Sequence, residues 1–222
     1  MNLKTISLSI AATAIAGSLA LIAPTAQAGT FTNGSFEDGA LTNPFSTVLG
    51  GDPTSITGWT VTGQSIDYIG NYWQAADGDR SLDLNGSDSS GMAQGGIQQT
   101  FDTIANQTYK VLFSIAGNPD GAPSTKVLSA IASGGISQLF AFDTTGFSRA
   151  NMGWREVSYL FTAASNSTTL SFASDIPGQF GPALDNVSVT ATAVPTPALL
   201  PGLIAMGVGM MRKRKAEAKA DA

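Results

Sequence analysis

The side chains able to do chemistry in this 222-residue chain are overwhelmingly carboxylates. There is no histidine and no cysteine. That excludes Ser-His-Asp and Cys-His nucleophilic machinery, histidine zinc sites and the commonest general base. Between residues 29 and 193, five cations (Arg80, Lys110, Lys126, Arg149, Arg155) face fourteen acids, a net of −9. No basic stripe runs through this region, so nucleic acid is not an expected partner. A glycosidase needs two placed carboxylates. With fourteen acids an accidental pair is expected, so composition gives no support for one.

One cluster has the composition of a sugar site. Tyr68, Tyr72 and Trp73 lie beside Asn71, Gln74, Asp77, Asp79 and Arg80. A sugar's C–H face stacks on an aromatic ring, and carboxylates, amides or a guanidinium take its hydroxyls. The expectation is a glycan site on Tyr68, Tyr72, Trp73, Gln74, Asp77, Asp79 and Arg80. The other tryptophans, Trp59 and Trp154, read as packing residues of the kind that β-proteins bury. The run from Asp77 to Asp88 invites comparison with a helix–loop–helix calcium loop and fails it. Position 6 is Leu82 rather than Gly, and position 12 is Asp88 rather than Glu. Leu82 and Leu84 alternate with Asp83, which favours a strand. A calcium site at Asp77 and Asp79 is the weaker reading.

The elements that must hold these residues read as strands. Residues 107–116 put Tyr109, Val111, Phe113 and Ile115 on one face with period two. Residues 154–162 repeat the pattern with Val157, Tyr159 and Phe161, and residues 168–173 with Leu170 and Phe172. Leu184, Val187 and Val189 imply a last strand with a bulge near Asn186. Residues 57–62, 81–84, 97–101, 127–131 and 139–143 complete the set. Turn signals such as Asn85-Gly86, Asn118-Pro119-Asp120-Gly121 and Gly134-Gly135 separate them. The expected fold is all-β, a single jelly-roll β-sandwich over residues 29–193, with no long amphipathic helix.

A set of phrases in order is more specific. They are Asn33-Gly-Ser-Phe36-Glu37, Gly58-Trp59, Ile66-Asp67-Tyr68-Ile69-Gly70, Trp73-Gln-Ala-Ala-Asp77-Gly78, Arg80-Ser-Leu-Asp83-Leu84-Asn85-Gly86, Ile97-Gln-Gln-Thr-Phe101, Gly153-Trp154, and Gly181-Pro-Ala-Leu-Asp185-Asn186-Val187. This set resembles the choice-of-anchor C family of bacterial secreted proteins and, more distantly, a plant cell-wall domain family. Both look like galactose-binding-type jelly rolls. The resemblance implies neighbouring first and last strands, with Glu37 and Asp185 sharing a structural calcium. Calcium takes six to eight oxygen ligands, and such a clip would tie the two ends of the domain. The resemblance carries no catalytic residues.

The two ends read as addresses. Lys4, the apolar stretch 6–22 and Ala26-Gln27-Ala28 form a signal-peptide pattern over residues 1–28, with cleavage between Ala28 and Gly29. Residues 194–222 begin with Val194-Pro195-Thr196-Pro197, continue with the apolar run 198–211 and end on Arg212 to Lys215 and a short polar tail. Fourteen residues make roughly 21 Å of helix at about 1.5 Å per residue, against a bilayer core of about 30 Å. The basic cluster fits the cytoplasmic side. This tail resembles the PEP-CTERM sorting signals of bacterial envelope proteins, with Thr196 where the glutamate usually stands. The resemblance implies processing at Pro195, Thr196 and Pro197 by an exosortase, after signal peptidase has acted at the other end. The expected protein is therefore secreted to the cell envelope or extracellular matrix, held to the membrane through its tail before processing. The glycan-binding or exopolysaccharide-matrix module is the leading functional expectation. A non-binding structural component of matrix or biofilm and a polysaccharide hydrolase are the alternatives.

Overall fold

A computed structural model of the chain describes residues 29–40, 42–87 and 94–192. The signal-peptide reading, including Ala28, and the tail reading, including Pro195, Thr196 and Pro197, lie outside these residues. Eleven strands run in chain order: β1 (Phe45–Leu49), β2 (Thr60–Gly63), β3 (Ser65–Ile69), β4 (Ser81–Asp83), β5 (Gly95–Asp102), β6 (Thr108–Gly117), β7 (Thr125–Ala132), β8 (Gln138–Asp143), β9 (Arg155–Thr162), β10 (Ser167–Ser174) and β11 (Pro182–Ala191). There is no helix among the described residues. One sheet has the order β1-β3-β4-β11-β6-β9, the other β2-β5-β10-β7-β8. Every strand pairing is antiparallel. The chain is an all-β sandwich, as its periodicity indicates.

The core lies between the inner faces of the two sheets. From β6 come Tyr109, Val111, Phe113 and Ile115, and from β10 Leu170 and Phe172, all buried. Phe113 meets Phe172 and Phe140 edge-on, each with ring centroids 5.0 Å apart. Trp59 is buried against Phe36, Phe31 and Phe172, and its indole N–H donates to the Asn33 carbonyl at 2.9 Å. It is a core residue, as its neighbours in sequence suggest.

The last strand carries the expected irregularity. The β11–β6 register shifts between Asp185 and Ser188, and Asn186 takes the left-handed backbone conformation at φ 49°. Asn tolerates that conformation better than most residues. Gly34, in the first loop, lies against this bulge. The Val187 N–H donates to the Gly34 carbonyl at 2.8 Å, and a Cβ on Gly34 would sit 1.8 Å from the Val187 carbonyl oxygen. The start and end of the domain therefore meet through backbone. Phe36 also has a positive φ, 60°, uncommon for a bulky side chain. This geometry buries the Phe36 ring while Glu37 reaches the loop before β4.

Candidate functional site

The segment between β3 and β4, residues 70–80, walls a cleft of about 860 Å³. Its lining brings together Asn43, Asn71, Tyr72, Trp73, Gln74, Asp79, Arg80 and, from a distant part of the chain, Arg149. A second hollow of about 500 Å³, lined by Ile136, Tyr159, Leu160 and Phe161 among others, has no charged residue in its lining.

The loop has no regular structure of its own, so fixed partners on all sides set its shape. The Gly70 N–H donates to the Pro44 carbonyl at 3.0 Å, and the Gln74 N–H to the Arg149 carbonyl at 2.9 Å. The Trp154 indole N–H donates to the Gln74 carbonyl at 2.8 Å, and that of Trp73 to the Ser81 hydroxyl at 2.8 Å. Two carboxylates hold the remainder. Asp185 on β11 accepts the N–H groups of Ala76 at 2.7 Å and Asp77 at 3.0 Å on one oxygen, and that of Asn186 at 2.6 Å on the other. Glu37 accepts the N–H groups of Asp79 and Arg80, both at 2.9 Å, on Oε1. Gly78, at φ +63°, makes room for this contact: a Cβ there would lie 2.4 Å from Glu37 Oε1. Charge-assisted bonds of this kind are the strong ones.

Glu37 and Asp185 thus act on the same loop, through amides. As placed, both Asp185 oxygens and Glu37 Oε1 accept amide protons, while Glu37 Oε2 is not among the acceptors of these bonds. Calcium is carried forward as the alternative outcome of a chelator experiment.

The aromatic expectation needs correction at Tyr68. That residue is wholly buried in β3, and its hydroxyl donates to the Phe36 carbonyl. Burial raises its pKa to about 12, with Arg80 opposing the rise. A buried ring cannot stack on a ligand, and the cleft is lined without it. Trp73 touches the cleft but is 5% exposed. Tyr72 is half-buried, with Phe45 and Trp73 against it. Arg149 lies over its ring at 4.0 Å from the centroid. The Tyr72 hydroxyl donates to Asp120 at 2.8 Å, and its pKa is raised by burial first and Asp120 second. Arg149 also holds Asp120, through Nε at 2.9 Å to both oxygens and Nη2 at 2.8 Å. Gln74, Asp79 and Arg80 line the cleft as expected, whereas Asp77 is exposed but not among the lining residues. The cleft therefore presents amides and guanidinium groups above a buried aromatic floor. Sequence reasoning missed Arg149, Asn43 and Asp120, which lie far from the loop in sequence. Asn118-Pro119-Asp120-Gly121 showed only a turn.

A second polar cluster lies under the neighbouring loops. Asp83 is buried on β4, where its register partner across β3 is Asp67. It accepts from Asn118 Nδ2 at 2.8 Å and from the N–H groups of Asn85 and Gly181 at 3.0 Å. Burial outweighs these donors and pushes its pKa up to about 8. Lys126 is buried nearby, donating to the carbonyls of Gly121 at 2.8 Å and Phe180 at 2.6 Å, with its pKa lowered by desolvation. The strand reading of Ser81 to Asp83 holds, which leaves no calcium-binding helix–loop–helix there.

A two-sheet antiparallel sandwich with a loop-walled polar cleft defines a jelly-roll-type β-domain. The chain belongs to the family described as "Protein of unknown function (DUF642)", whose model matches residues 29–190. It is 31% identical over 171 residues to halomucin of Haloquadratum walsbyi, a match covering 73% of this chain and 2% of halomucin. The chain thus spans a small fraction of that relative's length. Among solved structures it is similar to TmCBM61 in complex with beta-1,4-galactotriose, with a TM-score of 0.45 and 14% identity, covering 74% of this chain and 99% of that one. It is also similar to CBM35 from Paenibacillus barcinonensis, with a TM-score of 0.43 and 21% identity, covering 66% and 99%.

Proposed function

We propose that the domain is a glycan-binding or exopolysaccharide-matrix module of an exported, envelope-sorted protein, and that it binds sugar in the cleft walled by residues 70–80. The observation that carries this reading is the pinned loop itself. Gln74, Asn71, Asn43, Asp79 and two arginines are held around one open cleft by a frame whose bonds span the domain from Glu37 to Asp185. Planar amides, carboxylates and guanidinium groups bind sugar hydroxyls, and a pre-formed loop reduces the ordering cost of binding. Among the described residues Asp79 is the one acid in the cleft lining, where a glycosidase mechanism needs two. That favours binding over hydrolysis. The hydrolase reading predicts polysaccharide cleavage that one carboxylate substitution abolishes.

A glycan array tests the binding reading. Saturable binding weakened by Gln74→Ala, with the thermal midpoint preserved, supports it. Absence of binding to every glycan favours the structural matrix role. The exported and sorted parts of the proposal rest on residues 1–28 and 194–222. Mass spectrometry of the protein from cells tests them: cleavage before Gly29 and near Pro195-Thr196-Pro197 is expected, and intact chain through Ala222 would refute processing.

A further inference from the structure

We infer that the cleft selects glycans bearing carboxylate groups, that is, uronate-containing polysaccharide, through Arg80 and Arg149. The inference rests on the glycan reading above and narrows it.

The distribution of positive charge carries the argument. The domain has five cations among fourteen acids. One of the five, Lys126, is buried on backbone carbonyls. Of the four others, two line this cleft. Two guanidinium groups thus meet in one wall of an acidic body, opposed by Asp79 among the described lining residues and by Asp120 behind Arg149. Arg80, like Arg155, makes no ion pair with a carboxylate among the described residues. Its guanidinium lies 5.6 Å from the centre of the Tyr68 ring, and Nη1 is buried with no hydrogen-bond partner.

Arg149 supplies the second cation, in a different state. Asp120 takes Nε and Nη2, and the Tyr72 ring supports the guanidinium plane at 4.0 Å. The side chain is 48% exposed, and Nη1 lies outside the Asp120 pair. The guanidinium is thus pre-oriented at the rim before any ligand arrives. Arginine suits this role because its planar fork matches a carboxylate. A uronate carboxylate brings a charge opposite to the guanidinium edge that Arg149 leaves outside its Asp120 pair, whereas a neutral sugar brings none. The negative body repels a polyanion only weakly at range, because charges are screened beyond about 8 Å at physiological salt.

Affinity electrophoresis and calorimetry on the mature domain test the inference. Polygalacturonate, alginate and a glucuronate-containing xylan are each paired with their carboxyl-reduced counterparts. Binding to at least one acidic polymer, tenfold or more weaker after reduction, is the expected result. Arg149→Gln should weaken binding of the acidic polymer tenfold or more, down to the level that the same variant shows for the reduced polymer, with the thermal midpoint measured alongside. Arg80→Gln should do the same if it folds, and the exposed Arg149 keeps the test decisive if it does not. Equal binding of acidic and reduced polymers would overturn the carboxylate inference and leave the glycan reading standing. Binding to no glycan of any charge would overturn both.

Discussion

At the residue scale, the side chains most suggestive in sequence have structural duties. Trp73 looks like a stacking platform, yet its indole is buried and its N–H is committed to Ser81. Removing a buried tryptophan leaves a cavity and an orphaned hydroxyl, at about 3–5 kcal/mol. Trp73→Ala should therefore lower the urea midpoint sharply, and a binding loss in that variant would report unfolding rather than recognition. A near-wild-type midpoint would mean that the ring is less embedded than its contacts indicate. Gln74 gives a cleaner probe. Its carbonyl and N–H are held by Trp154 and Arg149, so truncating its exposed side chain removes a cleft group without disturbing the loop. Gln74→Ala should shift the midpoint by less than about 0.5 kcal/mol, as is usual for surface changes. Any binding it loses belongs to recognition.

At the element scale, the frame matters more than any strand alone. The loop before β4 is held from both ends of the domain, by Glu37 near the start and Asp185 near the end. The Gly34–Val187 contact fixes those two ends together. A methyl group at Gly34 has nowhere to go, because the obstructing atom is a backbone oxygen 1.8 Å away. Gly34→Ala should cost about 2 kcal/mol or more through backbone displacement and weaken cleft binding with it. Gly29→Ala, where nothing lies within 4 Å, should be neutral. Equal midpoints for the two variants would show that the ends are not tightly joined. Amide clamping also predicts the same melting midpoint with EDTA as with added calcium, whereas a fall on chelation would bring calcium into the clip. Nine of the eleven strands and the Asn186 bulge were legible as alternation and turn chemistry. β3 was not read as a strand although Ser65 and Asp67 alternate with Ile66 and Tyr68; all five of its residues are buried, so its polar face is covered rather than exposed. β1 was missed because its burial alternates poorly, with Leu49 exposed and Phe45 only half-buried. Asp83 looked like the solvent side of an alternating strand. The loops carrying Asn118 and Gly181 cover that face instead. The 70–80 loop was found by composition, but Arg149 and Asp120 reach it only through tertiary folding.

At the scale of the whole molecule, the acidic composition hides two opposed groups of carboxylates, and their balance sets how stability varies with pH. Asp185 and Asp83 are buried, and desolvation raises their pKa values to about 7 and about 8. Three N–H donors on each oppose that rise without cancelling it. In the unfolded chain both ionise near pH 4. Between about pH 4 and pH 8 the folded state thus holds more protons than the unfolded state, and stability falls as pH rises through that window. Asp52 works in the other direction. Its pKa is lowered to about 2, chiefly by the N–H groups of Thr54 and Ser55, and that of Asp143 is lowered by the Thr145 hydroxyl and N–H. Their contributions are present above about pH 4 and are lost as pH drops below it. The two groups of carboxylates together favour maximum stability near pH 4–5, below the neutral range where many proteins are most stable, and the lowered pKa of buried Lys126 works against the decline toward the alkaline end. Thermal melts from pH 3 to pH 9 should show a midpoint that peaks there and declines toward pH 8. Asp83→Asn should flatten the decline at a lower midpoint overall: Asn keeps an acceptor for the Asn85 and Gly181 amides, but its new amide faces the Asn118 amide, whose oxygen is held by the Asp120 N–H. A midpoint that climbs steadily from pH 4 to pH 8 in the wild-type protein would mean that the amide donors around Asp185 and Asp83 outweigh their desolvation. The loop that walls the cleft would then be held most firmly at neutral pH.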